Sequence, residues 1–485
     1  MGLNAAIASP TGRALRGIVW CAACFGASLA QGEQHVFLIG GGDQVTNSQV
    51  QIEANTRWVR EVLEALPGGR RVHLYFTDGA DPAPDVTEWR RPTDDVTSLQ
   101  PLARVFNAYW SNGEHYRNHH LGEVAGPTDK GFLVPALRDR FRRLALDDRV
   151  MLVFNGHGMP AEESGAQHRI LLWNSTAMDV SDFESVLEAL PKPVPFRFVF
   201  TQCFSGGFGR LAGPERNRCG FMAEAADQPA EGCSAAIDQE DFQDYSSRFF
   251  AALAGRDRFG DTLDRDPDRD GNGRVTPLEA HYHTLVWAQS SDLPRATSEL
   301  FLLEWEPWYL EILLPWVEAS ESPYHQMALE LAEHLGLNAG PALLPQLEER
   351  RSRAEEALLE LSQRLDAVYD KLGELRRPLA DEVLRRWPEA GSGYTNNFRH
   401  FLNEQLGAAQ AFILSRPDYA ELKRGQDEYW EIDARMLEAE RRLTSFERVA
   451  HLLELGRRHR LLETTGDDQA RARYAWLLEC ESEPL

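Results

Sequence analysis

The chain has 485 residues, more than one ordinary domain needs, so a catalytic or binding unit with something appended is expected. Charged residues at 26% and apolar ones at 43% describe a globular protein and exclude a largely disordered or membrane-embedded one. The formal charge of -24 excludes nucleic acid as a partner, because neutralising phosphates needs a Lys/Arg surface that this acid excess denies.

Residues 1–30 read as a secretion signal. Arg13 and Arg16 precede an apolar run from Gly17 to Ala30 that ends in small residues and is too short to span a bilayer. A secreted or periplasmic location without a membrane span is therefore expected. Once the signal is removed, Cys203, Cys219, Cys233 and Cys480 remain. In an oxidising compartment the near neighbours Cys219 and Cys233 are the candidate disulfide, with Cys203 left as a thiol.

From Gln34 to about Leu300, β-like runs alternate with amphipathic helical stretches, which predicts an α/β domain with a mainly parallel sheet. Strands are expected at 35–39, 71–76, 149–154, 169–173 and 196–200. Helices are expected at 51–66, 132–146 and 179–190, where apolar residues recur three and four apart. His115 and His119 share the i, i+4 spacing of a helical metal pair, but no third ligand is evident, and with Glu114 and His120 they read as surface or loop.

Beyond about Leu300 the β-like runs stop and Leu, Glu, Arg and Ala dominate. Ala354, Leu358, Leu361, Leu365, Val368, Leu372 and Leu375 follow a 4,3 spacing, and Tyr429 to Leu453 repeats it. With Pro378 and Gly391-Ser-Gly393 between them, two long helices are expected to fold back as an antiparallel hairpin within the chain. The domains are therefore read as 31–300 and 301–485, the helices offering a docking surface for a protein partner. Trp305, Trp308, Tyr309 and Trp316 are expected to pack between the two regions.

Two segments stand apart. Asn155-Gly156-His157-Gly158 follows directly on one predicted strand, and Thr201-Gln202-Cys203-Phe204-Ser205-Gly206-Gly207 directly on another. In an open parallel sheet both would project from the carboxyl edge, where ligands gather. A thiol is only a few per cent thiolate at neutral pH, and an imidazole beside it can take that proton and later give one to a leaving amine. Cys203 is then the nucleophile and His157 its general acid/base. Backbone N–H groups of Gly158 and Cys203 are the candidate donors to a developing oxyanion. A lone Cys is more often a small buried apolar residue and a lone His more often structural; the joint placement argues otherwise.

His157-Gly158 after one strand and Cys203-Phe204-Ser205-Gly206 after a later one, about 50 residues apart, resembles the catalytic segments of legumains and, more distantly, of caspases and metacaspases. The stretch from Phe221 to Cys233 is similar to the legumain segment in which a strand leads into a loop lining the substrate pocket. The resemblance runs from about Gln34 to Tyr245. It implies a caspase-like helix-sheet-helix sandwich and a Cys/His dyad acting on peptide bonds. Thr201 departs from the pattern, since legumains place Glu and caspases Gln there. Asp238 loosely matches a pocket acid of legumains, which favours Asn or a basic residue before the scissile bond. Asn47 lies in the region of the legumain Asn that orients the histidine, at a different spacing.

The segment 268–279 satisfies the twelve-residue calcium-loop pattern of an EF-hand. Asp268, Asp270 and Asn272 hold positions 1, 3 and 5, Gly273 the turn, Arg274 and Thr276 positions 7 and 9, and Glu279 position 12. Entering and exiting helices are expected at 248–253 and 278–287. A single loop beside a catalytic domain points to structural Ca²⁺.

The chain is thus expected to be an exported cysteine endopeptidase acting through a thioester, with a protein or peptide as substrate. Two rival readings keep the same residues: an inactive scaffold that binds through its helices, and a transpeptidase or ligase that passes the acyl group to an amine.

Overall fold

The computed structural model describes residues 32–89, 99–107, 114–162, 165, 167–232, 242–318, 322–391 and 395–485. The expected signal at 1–30, Cys233 and Asp238 lie outside the described residues. Eleven strands form among the described residues: β1 (Gln34–Gly41), β2 (Arg70–Phe76), β3 (Val86–Trp89), β4 (Glu114–Arg117), β5 (Arg149–Gly156), β6 (Gly158–Met159), β7 (Arg169–Leu172), β8 (Thr176–Asp179), β9 (Phe196–Phe200), β10 (Arg218–Met222) and β11 (Arg295–Ala296). Six of them make one sheet in the order β2-β1-β5-β9-β10-β11, parallel except for β11.

Val, Phe, Leu and Ile on both faces of β1, β5 and β9 suit strands covered from both sides. Val36, Leu38, Met151, Val153 and Val199 enter one core, while Phe37, Ile39, Leu152, Phe154, Phe198 and Phe200 enter the other. The first core is closed by α1 (Val50–Ala65). A small α2 (Gln100–Phe106) follows, and the second core is closed by α3 (Lys130–Arg142) and α4 (Val180–Leu187). Asp179 caps α4 by accepting from Asp182 N. Back on the first face lie α5 (Tyr245–Ala254), α6 (Pro277–Trp287) and α7 (Thr297–Glu304).

Arg169–Leu172 does not join the main sheet as expected. It pairs with β6 and β8 in a separate antiparallel sheet, because Asn174 and Ser175, at φ of 59° and 55°, reverse the chain and bring β8 back beside it. His115 falls in β4, which pairs with β3.

The remaining helices are α8 (Leu310–Leu313), α9 (Pro323–His334), α10 (Leu343–Arg386), α11 (Asn396–Glu404), α12 (Leu406–Leu414), α13 (Pro417–Thr465) and α14 (Asp468–Glu481). α10 and α13 form the expected antiparallel hairpin, fastened by Arg364–Glu428 at 2.6 Å, Lys371–Glu421 at 2.9 Å and Glu382–Arg416 at 3.3 Å. Pro378, read as a break, lies inside α10. An interior proline costs about 3 kcal/mol. The neighbouring Leu379 and Val383 are wholly buried against Phe401, Ile413 and α2, which offsets it.

The boundary expected near residue 300 marks a change of secondary structure rather than of packing. Residues 32–485 form one compact unit. Val449, Leu452 and Leu455 of α13 share a core with Val36 and Val153, and Trp430 meets Trp89 edge to face with centroids 5.0 Å apart. The expected Cys219–Cys233 pairing is replaced by Cys219–Cys480, with Cα atoms 6.2 Å apart. The physical reason is that Cys219 on β10 sits in a small apolar cluster with Leu477 and Cys480 of α14. Trp305 packs against the core, but Trp308 and Trp316 are 86% and 85% exposed, contrary to the packing expected of them. Among the described residues, no helix is long and apolar enough to cross a membrane.

Candidate active site

β1 has β2 on one side and β5 on the other, so consecutive connections leave it in opposite directions and open a crevice at its carboxyl end. His157 lies just beyond β5, on the rim of that crevice. Phe154 pairs with Phe200 in register, and His157 and Cys203 each follow that pair by three residues on neighbouring strands. Parallel neighbours lie about 4.8 Å apart. The two turns touch: a Cβ built on Gly158 would stand 2.2 Å from the Cys203 carbonyl oxygen and 2.5 Å from Gln202 Cγ. Glycine at 158 is what lets them approach. After Cys203 the backbone turns sharply, with Phe204 at φ of 59°.

His157 is half-buried, and its Nε2 lies 2.7 Å from the Asn47 carbonyl and 2.8 Å from Gln49 Oε1. Both partners are acceptors, so Nε2 carries the hydrogen in the neutral ring as well as in the cation, and Nδ1 is the basic nitrogen. Burial holds the imidazole below its ordinary range, opposed by the Asn47 carbonyl and by Asp43. The 43–47 turn is itself fastened, since Asn47 Nδ2 donates to Asp43 and Asn47 Oδ1 accepts from Gln44 N at 3.1 Å. Asn47 therefore does meet the histidine, through its backbone. Gln49 was not legible as a site residue, because no motif surrounds it.

The Cys203 thiol donates to the Ala230 carbonyl at 3.6 Å. That carbonyl belongs to a loop, 224–231, which folds back over the turn: Phe204 N donates to Gln228 O at 2.9 Å, and His168 Nε2 lies 2.8 Å from Ala226 O. Thr201 directs its hydroxyl at Asn155 Oδ1, 2.6 Å away, and at Phe154 O, 2.9 Å away, tying β9 to β5 at the sheet edge. A cavity of about 590 Å³, lined in part by Gln51, Glu53, Trp58, Glu88, Arg117 and Phe242, opens along α1, the helix that Gln49 precedes. Its lining carries both signs of charge.

At the acidic loop, carboxylate oxygens of Asp268, Asp270 and Glu279 lie within 4.8 Å of one another. Asp268 accepts from Gly271, Asn272 and Gly273 N–H groups at 2.9, 3.2 and 2.7 Å, and these hold it below the usual carboxylate range. Asn272 Oδ1 accepts from Arg274 N at 2.9 Å. Glu279 accepts from Arg269 N, Asp270 N, and both Thr276 N and its hydroxyl, closing a capping box at the start of α6. The exiting helix is where it was expected. The entering one forms as well, since α5 covers 248–253, and residues 255–267 separate its end from the loop.

No protein-family model and no curated protein matches the chain.

Proposed function

We propose that the chain is an exported cysteine endopeptidase of the caspase/legumain-like kind. The observation that carries the reading is the contact between the two glycine-framed turns, Gly158 against the Cys203 carbonyl, at the carboxyl edge of neighbouring strands. Cys203 Sγ attacks the peptide carbonyl carbon as His157 Nδ1 takes the thiol proton. The amine leaves with that proton and the carbonyl becomes a thioester, which water then cleaves with His157 as base. Gly158 and Cys203 N–H groups serve the oxyanion. Thr201 and Asp238 are the proposed pocket residues. Export is supported by the segment 1–30 and by the Cys219–Cys480 disulfide, a bond suited to an oxidising compartment.

The test is labelling with a panel of peptide acyloxymethyl ketones that differ at the residue before the scissile bond. Covalent labelling of the parent at Cys203, absent in Cys203→Ala, is the expected result; a parent inert to the whole panel overturns the reading.

We also propose structural Ca²⁺ at Asp268, Asp270, Asn272, the Arg274 carbonyl, Thr276 and Glu279. Supporting it are the clustered hard oxygens and the positive φ of Gly273. Calcium is expected to raise the melting temperature of the parent and not of Asp268→Asn. Identical melting with and without chelator excludes it.

A further inference from the structure

The loop over the candidate nucleophile is held at both ends by a single turn, residues 288–293. At the near end Glu224 Oε2 accepts from Leu293 N at 2.7 Å while its Oε1 accepts from Ala225 N at 2.8 Å. At the far end Glu231 N donates to Asp292 Oδ1 at 2.5 Å, and the Glu231 carboxylate accepts from Ser291 N at 2.8 Å. That turn has no regular structure of its own. Its shape comes from α13: Arg448, wholly buried, donates to the carbonyls of Ala288, Ser290 and Asp292 and to Ser290 Oγ. Thr444 adds a bond to Ser291 O at 3.3 Å. One helical turn earlier, Arg441 pairs directly with Glu231. Residues 441, 444 and 448 lie on one face of the helix, at the spacing a single stripe requires.

We infer that Arg441 and Arg448 are positioning residues for the candidate active site, acting from α13 through the 288–293 turn upon loop 224–231. This rests on the peptidase reading above and deepens it. The loop supplies the Ala230 carbonyl to the Cys203 thiol, the Gln228 carbonyl to Phe204 N and the Ala226 carbonyl to His168. Its path therefore sets how a peptide can lie beside the nucleophile. A buried arginine that satisfies several carbonyls at once fixes a turn that would otherwise leave those acceptors unpaired. The helical region is thus part of the site's scaffold, not a cover laid over it.

The experiment uses the full chain with Arg441→Met and Arg441→Lys, Arg441 being the partly exposed member of the pair, so that loss of the brace is separable from loss of the fold. Three quantities are read: hydrogen exchange of the amides in 225–231, KI and the maximal rate for a peptide acyloxymethyl ketone, and alkylation of Cys203 by iodoacetamide. Arg441→Met is expected to speed loop exchange and raise KI about tenfold, without slowing iodoacetamide or removing cooperative melting. Arg441→Lys is expected to recover most of the KI. A purely structural role would lower the melting temperature and leave KI alone. Parental loop exchange in Arg441→Met overturns the inference, as does a KI within about twofold of the parent. If no peptide probe labels the parent yet Arg441→Met speeds loop exchange, the peptidase reading falls and the brace stands.

Discussion

At the scale of single residues, the candidate site is decided by which atoms are already engaged. His157 Nε2 faces two acceptors, so the proton it exchanges belongs to Nδ1. Replacing Gln49 by Glu sets an anion beside the ring, which favours the protonated dyad. The acid limb of Cys203 alkylation by iodoacetamide is expected to move to higher pH by about one unit, the limb belonging to the pair rather than to either group. A limb at the parental position would show that Gln49 does not govern the histidine. Gly158→Ala is expected to be more damaging, because its Cβ would overlap the Cys203 carbonyl. Labelling by a peptide probe should fall by about a hundredfold and stability by about 1–3 kcal/mol, read by kinetics and thermal melting.

At the scale of elements, the strands with apolar residues on both faces were legible from their composition, and the paired 4,3 seams announced the α10–α13 hairpin. β11 was not legible, being two residues long and held by pairing with β10. Pro378 misled because local preference yielded to the burial of Leu379 and Val383. The disulfide misled because closeness along the chain says nothing of closeness in space. Cys480→Ser is expected to lower stability by about 2–5 kcal/mol, seen as a lower melting temperature without reductant, whereas an unchanged melt would show the bond to be dispensable. Nearby, Glu481 is wholly buried and accepts from Thr297 and Ser298, yet burial pushes it up to about 8. Its folded form therefore favours the proton. That contribution to stability is fully present below about pH 4.5 and is lost as the pH rises toward 8. Between pH 5 and 8.5 the parent is expected to lose more melting temperature than Glu481→Gln. Parallel curves would exclude this group as the cause.

At the scale of the whole molecule, the sequence announced two parts where packing joins them. The glycine-framed segments around His157 and Cys203 were legible because each follows directly on a strongly apolar β run. Gln49, Glu224, Asp292 and Arg448 were not, since each matters through partners far away along the chain. A fragment ending near residue 300 removes Arg448 and the apolar face of α13 from the shared core. Such a fragment is expected to be insoluble or to melt without a cooperative transition, checked by expression and calorimetry. A soluble, cooperatively melting fragment would show that the sheet region stands alone.

Arg448 and Cys480 lie far downstream of what they secure, the 288–293 turn and β10. During synthesis the thiol and imidazole emerge long before the groups that fix the loop beside them. On the peptidase reading proposed above, a chain that stops short of the second long helix carries its thiol beside a loop that nothing fastens.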